Sequence, residues 1–73
     1  MRAKESDLEI IYNGQPRRIE PGTTIAGLLA SLDSQPRHVA VEVNRQLVPR
    51  HRHGERQLCQ GDRVEVVTLV GGG

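Results

Sequence analysis

The sequence predicts an α+β domain in which a single helix packs on one face of a mixed sheet of four to five strands. Three observations carry this prediction. Strand-patterned segments stand on both sides of one helix-patterned segment, so the helix must cover a sheet built from both groups. The helical stretch keeps its apolar residues on one side. The most apolar strand, Arg63 to Val70, comes last, and a central place beside the first strand would explain that content.

In order along the chain, residues 1–7 are polar and read as a disordered leader. Leu8-Glu9-Ile10-Ile11-Tyr12 is a strand rich in β-branched and aromatic types. Asn13-Gly14 is a two-residue hairpin signal, because both residues tolerate positive φ. Gln15 to Glu20 returns, with Pro16 near its start, where a missing N–H costs least. Pro21-Gly22 breaks the strand, and Thr23 or Thr24 caps the helix that follows. Ile25, Leu28, Leu29 and Leu32 fall at i, i+3, i+4 and i+7 and form its apolar face. Gly27 costs about 1 kcal/mol against Ala in a helix, which suggests close packing on the sheet. Pro36 ends the helical region. Val39 to Val43 alternates as a half-buried strand, Asn44-Arg45-Gln46 turns, and Leu47-Val48 is a short strand stopped by Pro49. Residues 50–57 read as an irregular polar loop, Leu58 returns to the core, and Gly61-Asp62 turns the chain into the last strand. This order is that of the ubiquitin-like β-grasp, with residues 8–70 as the domain and 71–73 as a flexible tail.

Composition narrows the function. Seventy-three residues support one small domain. Ten basic against nine acidic residues, with Tyr12 the single aromatic, argue against a nucleic-acid binder. No apolar run approaches the roughly 20 residues that cross a bilayer, and the N-terminus lacks the apolar core of a signal peptide. Cys59 is the only cysteine, so no internal disulfide forms, and a cytoplasmic setting fits.

Gly71-Gly72-Gly73 carries no side chain to bury and loses the most backbone entropy on ordering, so it does not belong to the packed strand. A frayed end is the plain reading. The glycines follow directly on a strong strand, however, and Gly71 and Gly72 would serve as a spacer that takes the Gly73 carboxylate into a narrow site on another enzyme. Three extended residues reach roughly 10 Å. A carboxylate is unreactive until adenylated, after which sulfur or nitrogen nucleophiles attack it.

Asn13-Gly14, the helix start Thr24-Ile25-Ala26-Gly27-Leu28-Leu29, Val43-Asn44-Arg45-Gln46-Leu47-Val48-Pro49-Arg50, Leu58 through Val67 and the closing Val70-Gly71-Gly72-Gly73 together resemble the ThiS family of thiamine-biosynthesis sulfur carriers over residues 8–73. The short loop before Leu58 fits that family better than the related small subunit of molybdopterin synthase. The resemblance implies a carrier and not an enzyme, with no cofactor bound to the chain. It implies a ThiF-type adenylating enzyme that uses ATP and Mg on the Gly73 carboxylate. It implies sulfur drawn from cysteine by a desulfurase, and thiazole synthase (ThiG) as acceptor of the thiocarboxylate. A carrier for molybdopterin or another sulfur pathway, a ubiquitin-like protein modifier, and a plain β-grasp binding module are the alternatives.

For partner binding, alternation along the last strand sets Val67 and Leu69 on the face opposite Val64 and Val66. Ile11 of the first strand joins them if the two strands are neighbours, and Val70 leads into the tail. This exposed apolar patch is expected to dock the partners. Arg50, His51, Arg52, His53 and Arg56 read as a solvated basic loop, with attraction to an acidic partner surface as the next reading. His51 and His53 alone are too few to hold a metal. Cys59 is expected to be a partly buried filler, and Asp62 a turn residue. No Ser-His-Asp order, phosphate-binding glycine loop or apolar carboxylate pair marks a catalyst.

Overall fold

A computed structural model describes residues 7–32 and 39–68. Residues 1–6 of the expected leader, Asp33 to His38, and Leu69 to Gly73 with the tail lie outside the described residues. The elements are β1 (Leu8–Tyr12), β2 (Gln15–Ile19), helix α1 (Ile25–Ala30), β3 (Val39–Val43), β4 (Gln46–Val48), a single 3-10 turn (Arg50–Arg52) and β5 (Arg63–Thr68). Five strands form one sheet in the order β2-β1-β5-β3-β4. The last strand therefore lies in the middle, parallel to β1 and antiparallel to β3, as its apolar content predicts.

Turn chemistry sets the two hairpins. Asn13 and Gly14 take φ of 48° and 83°, and β1 and β2 pair with Leu8 opposite Ile19 and Tyr12 opposite Gln15. Asn44 and Arg45 take φ of 54° and 71°, which joins β3 to β4 through a turn of the same mirror-image hand. Asn tolerates that region, whereas Arg45 carries a Cβ into it at some cost.

Thr24 is the N-cap of α1, its Oγ1 accepting the Gly27 N–H at 3.1 Å. The helix ends at Ala30, two residues short of Leu32, with Ser31 as its C-cap: Ser31 donates its backbone N–H to both Gly27 and Leu28 carbonyls and its hydroxyl to the Leu28 carbonyl. Ile25 and Leu28 are buried, and Leu29 packs at the core's margin. Their partners among the described residues are Ile10, Ile19, Val41, Val43 and Val64 of the sheet and Leu58 of the loop before β5, so this core lies between the helix and one sheet face.

Gly27 corrects the sequence reading. It is exposed, and a Cβ there would meet only Thr24 Oγ1 at 3.5 Å and Thr23 Cγ2 at 3.7 Å, ordinary contact distances. No close approach to the sheet requires glycine at this position.

The loop after β4 also departs from expectation. His53 is 7% exposed, its Nε2 donates to the Val48 carbonyl at 3.0 Å, and its own carbonyl accepts the Ala26 N–H. The loop thus folds back over edge strand β4 and ties it to the helix. Asp62, also 7% exposed, accepts from the Cys59 N–H at 2.8 Å and from Asn44 Nδ2 at 2.9 Å, while Asn44 Oδ1 accepts the Arg63 N–H. A residue read as a simple turn former joins the entry of β5 to the β3–β4 turn.

Two stability measurements check these assignments. Gly27→Ala is expected to raise unfolding free energy in urea by about 0.5–1 kcal/mol, since the new methyl fits and the unfolded chain loses freedom. Asp62→Ala is expected to lower it by about 1–3 kcal/mol, because the Cys59 amide and the Asn44 carboxamide each lose a shielded acceptor.

Candidate functional site

The sheet face away from α1 carries no helix among the described residues. Alternation assigns its side chains. Leu8, Ile10 and Tyr12 of β1 turn toward the core, so Glu9 and Ile11 face outward. On β5, Val64 and Val66 turn inward, leaving Arg63, Glu65 and Val67 on the outer face. Ala40 and Glu42 of β3 and Leu47 of β4 complete it, in register with Val67, Glu65 and Glu42 respectively.

Val67 is 58% exposed and Leu47 65% exposed, the two large apolar residues that stand out from the described surface. They flank Ala40 and the exposed, directly opposed Glu42 and Glu65. Like charges in that position destabilise a sheet by a few tenths of a kcal/mol. The face is therefore mixed, with apolar groups around an acidic centre.

The expected patch of Ile11, Val67 and Leu69 needs correction. β1 and β5 are neighbours, but their parallel register sets Ile11 beside Arg63 and Pro16, and Ile11 is half-buried. Val67 is four residues further on, roughly 13 Å along the strand. Ile11 and Val67 do not form one cluster. Leu69 and Val70, with Gly71, Gly72 and Gly73, lie outside the described residues. Leu47 was not singled out from sequence. The expected turn Asn44-Arg45-Gln46 would have set Leu47 opposite Val43; the observed turn is Asn44-Arg45 alone, Gln46 joins β4, and Leu47 falls opposite Glu42 on the Glu65 face.

The basic loop is ordered around the 3-10 turn. Arg52 and Arg56 line a groove of about 220 Å³ with Val43, Gln46, Leu47, Val48 and Pro49. Each arginine already faces a carboxylate of its own chain at 3.8 Å, Glu55 for Arg52 and Asp62 for Arg56. Of the two histidines, His51 is exposed and His53 is used structurally. Among the described residues, no three His, Cys, Asp or Glu side chains converge on a metal site, and no helix is long and apolar enough to cross a membrane. Cys59 is an exposed free thiol and not the partly buried filler expected, because its turn points the side chain outward while its backbone N–H is held by Asp62.

Comparison with known proteins bears on what this frame carries. The model of the ThiS family matches residues 10–73. A thiazole synthase from Magnetococcus marinus is 44% identical over 66 residues, which make up 90% of this chain and 20% of that protein. The sulfur carrier protein ThiS of Escherichia coli is 29% identical over 66 residues, covering 90% of this chain and 100% of the carrier. A crystal structure of the thiamine biosynthesis protein ThiS from Geobacter metallireducens superposes with a TM-score of 0.78 at 28% identity, over 90% of this chain and 100% of that one. Strand order, single helix and sequence agree, and the chain belongs to the ThiS family.

Proposed function

We propose that this chain is a sulfur carrier whose working group is the carboxylate of Gly73, and that it serves thiazole formation in thiamine biosynthesis. The observation that carries the reading is Gly71-Gly72-Gly73, separated in sequence by two residues from the end of the central strand, in a chain of the ThiS family. The name of the Escherichia coli relative, a sulfur carrier protein, supports it. So do two thiazole synthases that contain a segment similar to this chain inside a longer protein. A segment joined covalently to the synthase in those relatives fits a separate carrier that visits the synthase here.

In this reading the domain presents a group and its partners supply the catalysis. A ThiF-type enzyme with ATP and Mg would join the Gly73 carboxylate to AMP and release pyrophosphate. A sulfur nucleophile at the oxidation level of sulfide would then expel AMP and leave a thiocarboxylate. If that sulfur arrives as a persulfide made by a cysteine desulfurase, a thiol must reduce the resulting acyl disulfide. Thiazole synthase would take the sulfur and return the carboxylate. ATP and a reduced Cys59 coexist in the cytoplasm, the compartment this chemistry suits. The outer sheet face around Val67 and Leu47 would dock the partners, because apolar groups left on a small domain's surface mark contact sites. Glycines at the tail allow the partner's backbone to close around it.

Incubation with ATP, a ThiF-type enzyme, a desulfurase, cysteine and a thiol is expected to replace one oxygen by sulfur in the intact mass. Lysine conjugates, or an unchanged mass, would defeat the carrier reading. Loading requires a free carboxylate on Gly73, so adding one residue after it, or Gly72→Leu, is expected to abolish loading without unfolding. Normal loading of either variant would rule out the tail as the site. Val67→Glu is expected to leave the melting temperature unchanged and weaken binding to both partners roughly tenfold, or about 1.4 kcal/mol; unaltered titration curves would remove Val67 from the interface.

A further inference from the structure

The junction between β1 and β5 is short. Only Ile11 and Tyr12 pair with β5, opposite Arg63 and Val64. Backbone bonds from Ile11 N to the Asp62 carbonyl and from Asn13 N to the Val64 carbonyl, both 2.9 Å, complete this part of the ladder. The Asn13-Gly14 turn then carries the chain away into β2, while β5 runs on through Glu65, Val66, Val67 and Thr68. On its other side β5 stays paired with β3 as far as Thr68.

Where β1 ends, the Asn13 side chain takes over. Asn13 Oδ1 accepts the Val66 N–H at 2.8 Å, and Asn13 Nδ2 donates to the Val66 carbonyl at 3.2 Å. A carboxamide has the same donor and acceptor as a peptide unit, so the side chain occupies the place of a missing strand residue. The Val66 N–H can only donate, which fixes which end of the amide faces it. The turn alone does not call for this residue, since Gly and Asp also suit its first position. Among these, Asn alone supplies both the donor and the acceptor.

We propose that Asn13 is a positioning residue for the tail: its carboxamide fixes the end of β5 and so sets where Gly73 is delivered to the activating enzyme. This rests on the carrier reading, and its role is separable from folding. Asn13 is exposed and outside the core, and Gly tolerates its φ of 48°. Removing the clamp leaves the last residues of β5 held by β3 alone. The docking face is unchanged, but the carboxylate starts from a less defined point, and small misplacements of a reacting group are costly.

Amide hydrogen exchange and loading kinetics on full-length Asn13→Gly and Asn13→Asp test the proposal. In Asn13→Gly, protection of the Val66 amide is expected to fall while Ile10 and Val41 keep theirs. The kcat for loading should drop roughly ten- to hundredfold with KM little changed. A loss of folded carrier would act as dilution of the substrate, raising apparent KM at constant kcat, and that pattern would overturn the proposal. Asn13→Asp keeps an acceptor for the Val66 N–H but no donor for its carbonyl, so protection should persist and kcat should lie between the other two. Unchanged Val66 exchange in Asn13→Gly, or wild-type kcat despite its loss, would also overturn it. Wild-type protein that is never loaded would sink the carrier reading, while exchange at Val66 would still decide whether the clamp exists.

Discussion

The parallel contact between β1 and β5 is the constraint on which the domain depends. It places the last strand at the centre, brings Val64 against Ile10 and Leu28, and gives β3 and β4 an edge on which to build. Yet the backbone supplies little of it, with two paired residues on each strand. Side chains extend the ladder at both ends. Before it, Gln60 Oε1 accepts the Glu9 N–H at 3.0 Å, next to the bond from Gly61 N to the Glu9 carbonyl. Beyond it stands Asn13. Two carboxamides lengthen a junction that the neighbouring turns would otherwise cut short.

Much of the irregular structure serves the same junction. The Cys59–Asp62 turn must deliver Arg63 alongside Ile11 and opposite Asn44 at once, and the buried Asp62 carboxylate holds both sides of that placement. The loop from Pro49 to Gln57 runs from the far edge of the sheet to the helix start, through the His53 bonds and the Thr24–Gln57 bridge. A core this small leaves few apolar contacts to fix loops, so polar groups sheltered from water do that work.

The parts of the fold set by local chemistry were legible in the sequence. Asn13-Gly14 named its hairpin, Thr23-Thr24 marked the helix cap without deciding between them, Val39 to Val43 alternated as a strand should, and the apolar run from Val64 implied a central place. What escaped was set by long-range contact. Nothing near His53 announces that its imidazole will meet Val48, and nothing near Asp62 announces Asn44, eighteen residues away. Gly27 misled because a helical glycine suggests close packing, whereas this one faces solvent. For the candidate site, the outward position of Val67 followed from alternation. Its separation from Ile11 did not, because alternation gives the face of a strand and says nothing of register between parallel partners. Asn13 was read for its φ alone, since a turn motif conceals what the side chain does once the turn has formed.

The late arrival of the central strand also bears on how the protein is made. During synthesis, β1, β2, the helix, β3 and β4 emerge before the strand that joins the two halves, so the sheet cannot close until the ribosome has passed Thr68. A polypeptide abandoned before Val64 lacks the middle of its sheet rather than an edge. Such a fragment exposes Ile10, Val41 and Leu28 to water, and is matter for proteases and chaperones. The topology thus makes the closed core conditional on the last strand, so a chain broken before it has no shorter folded form to settle into.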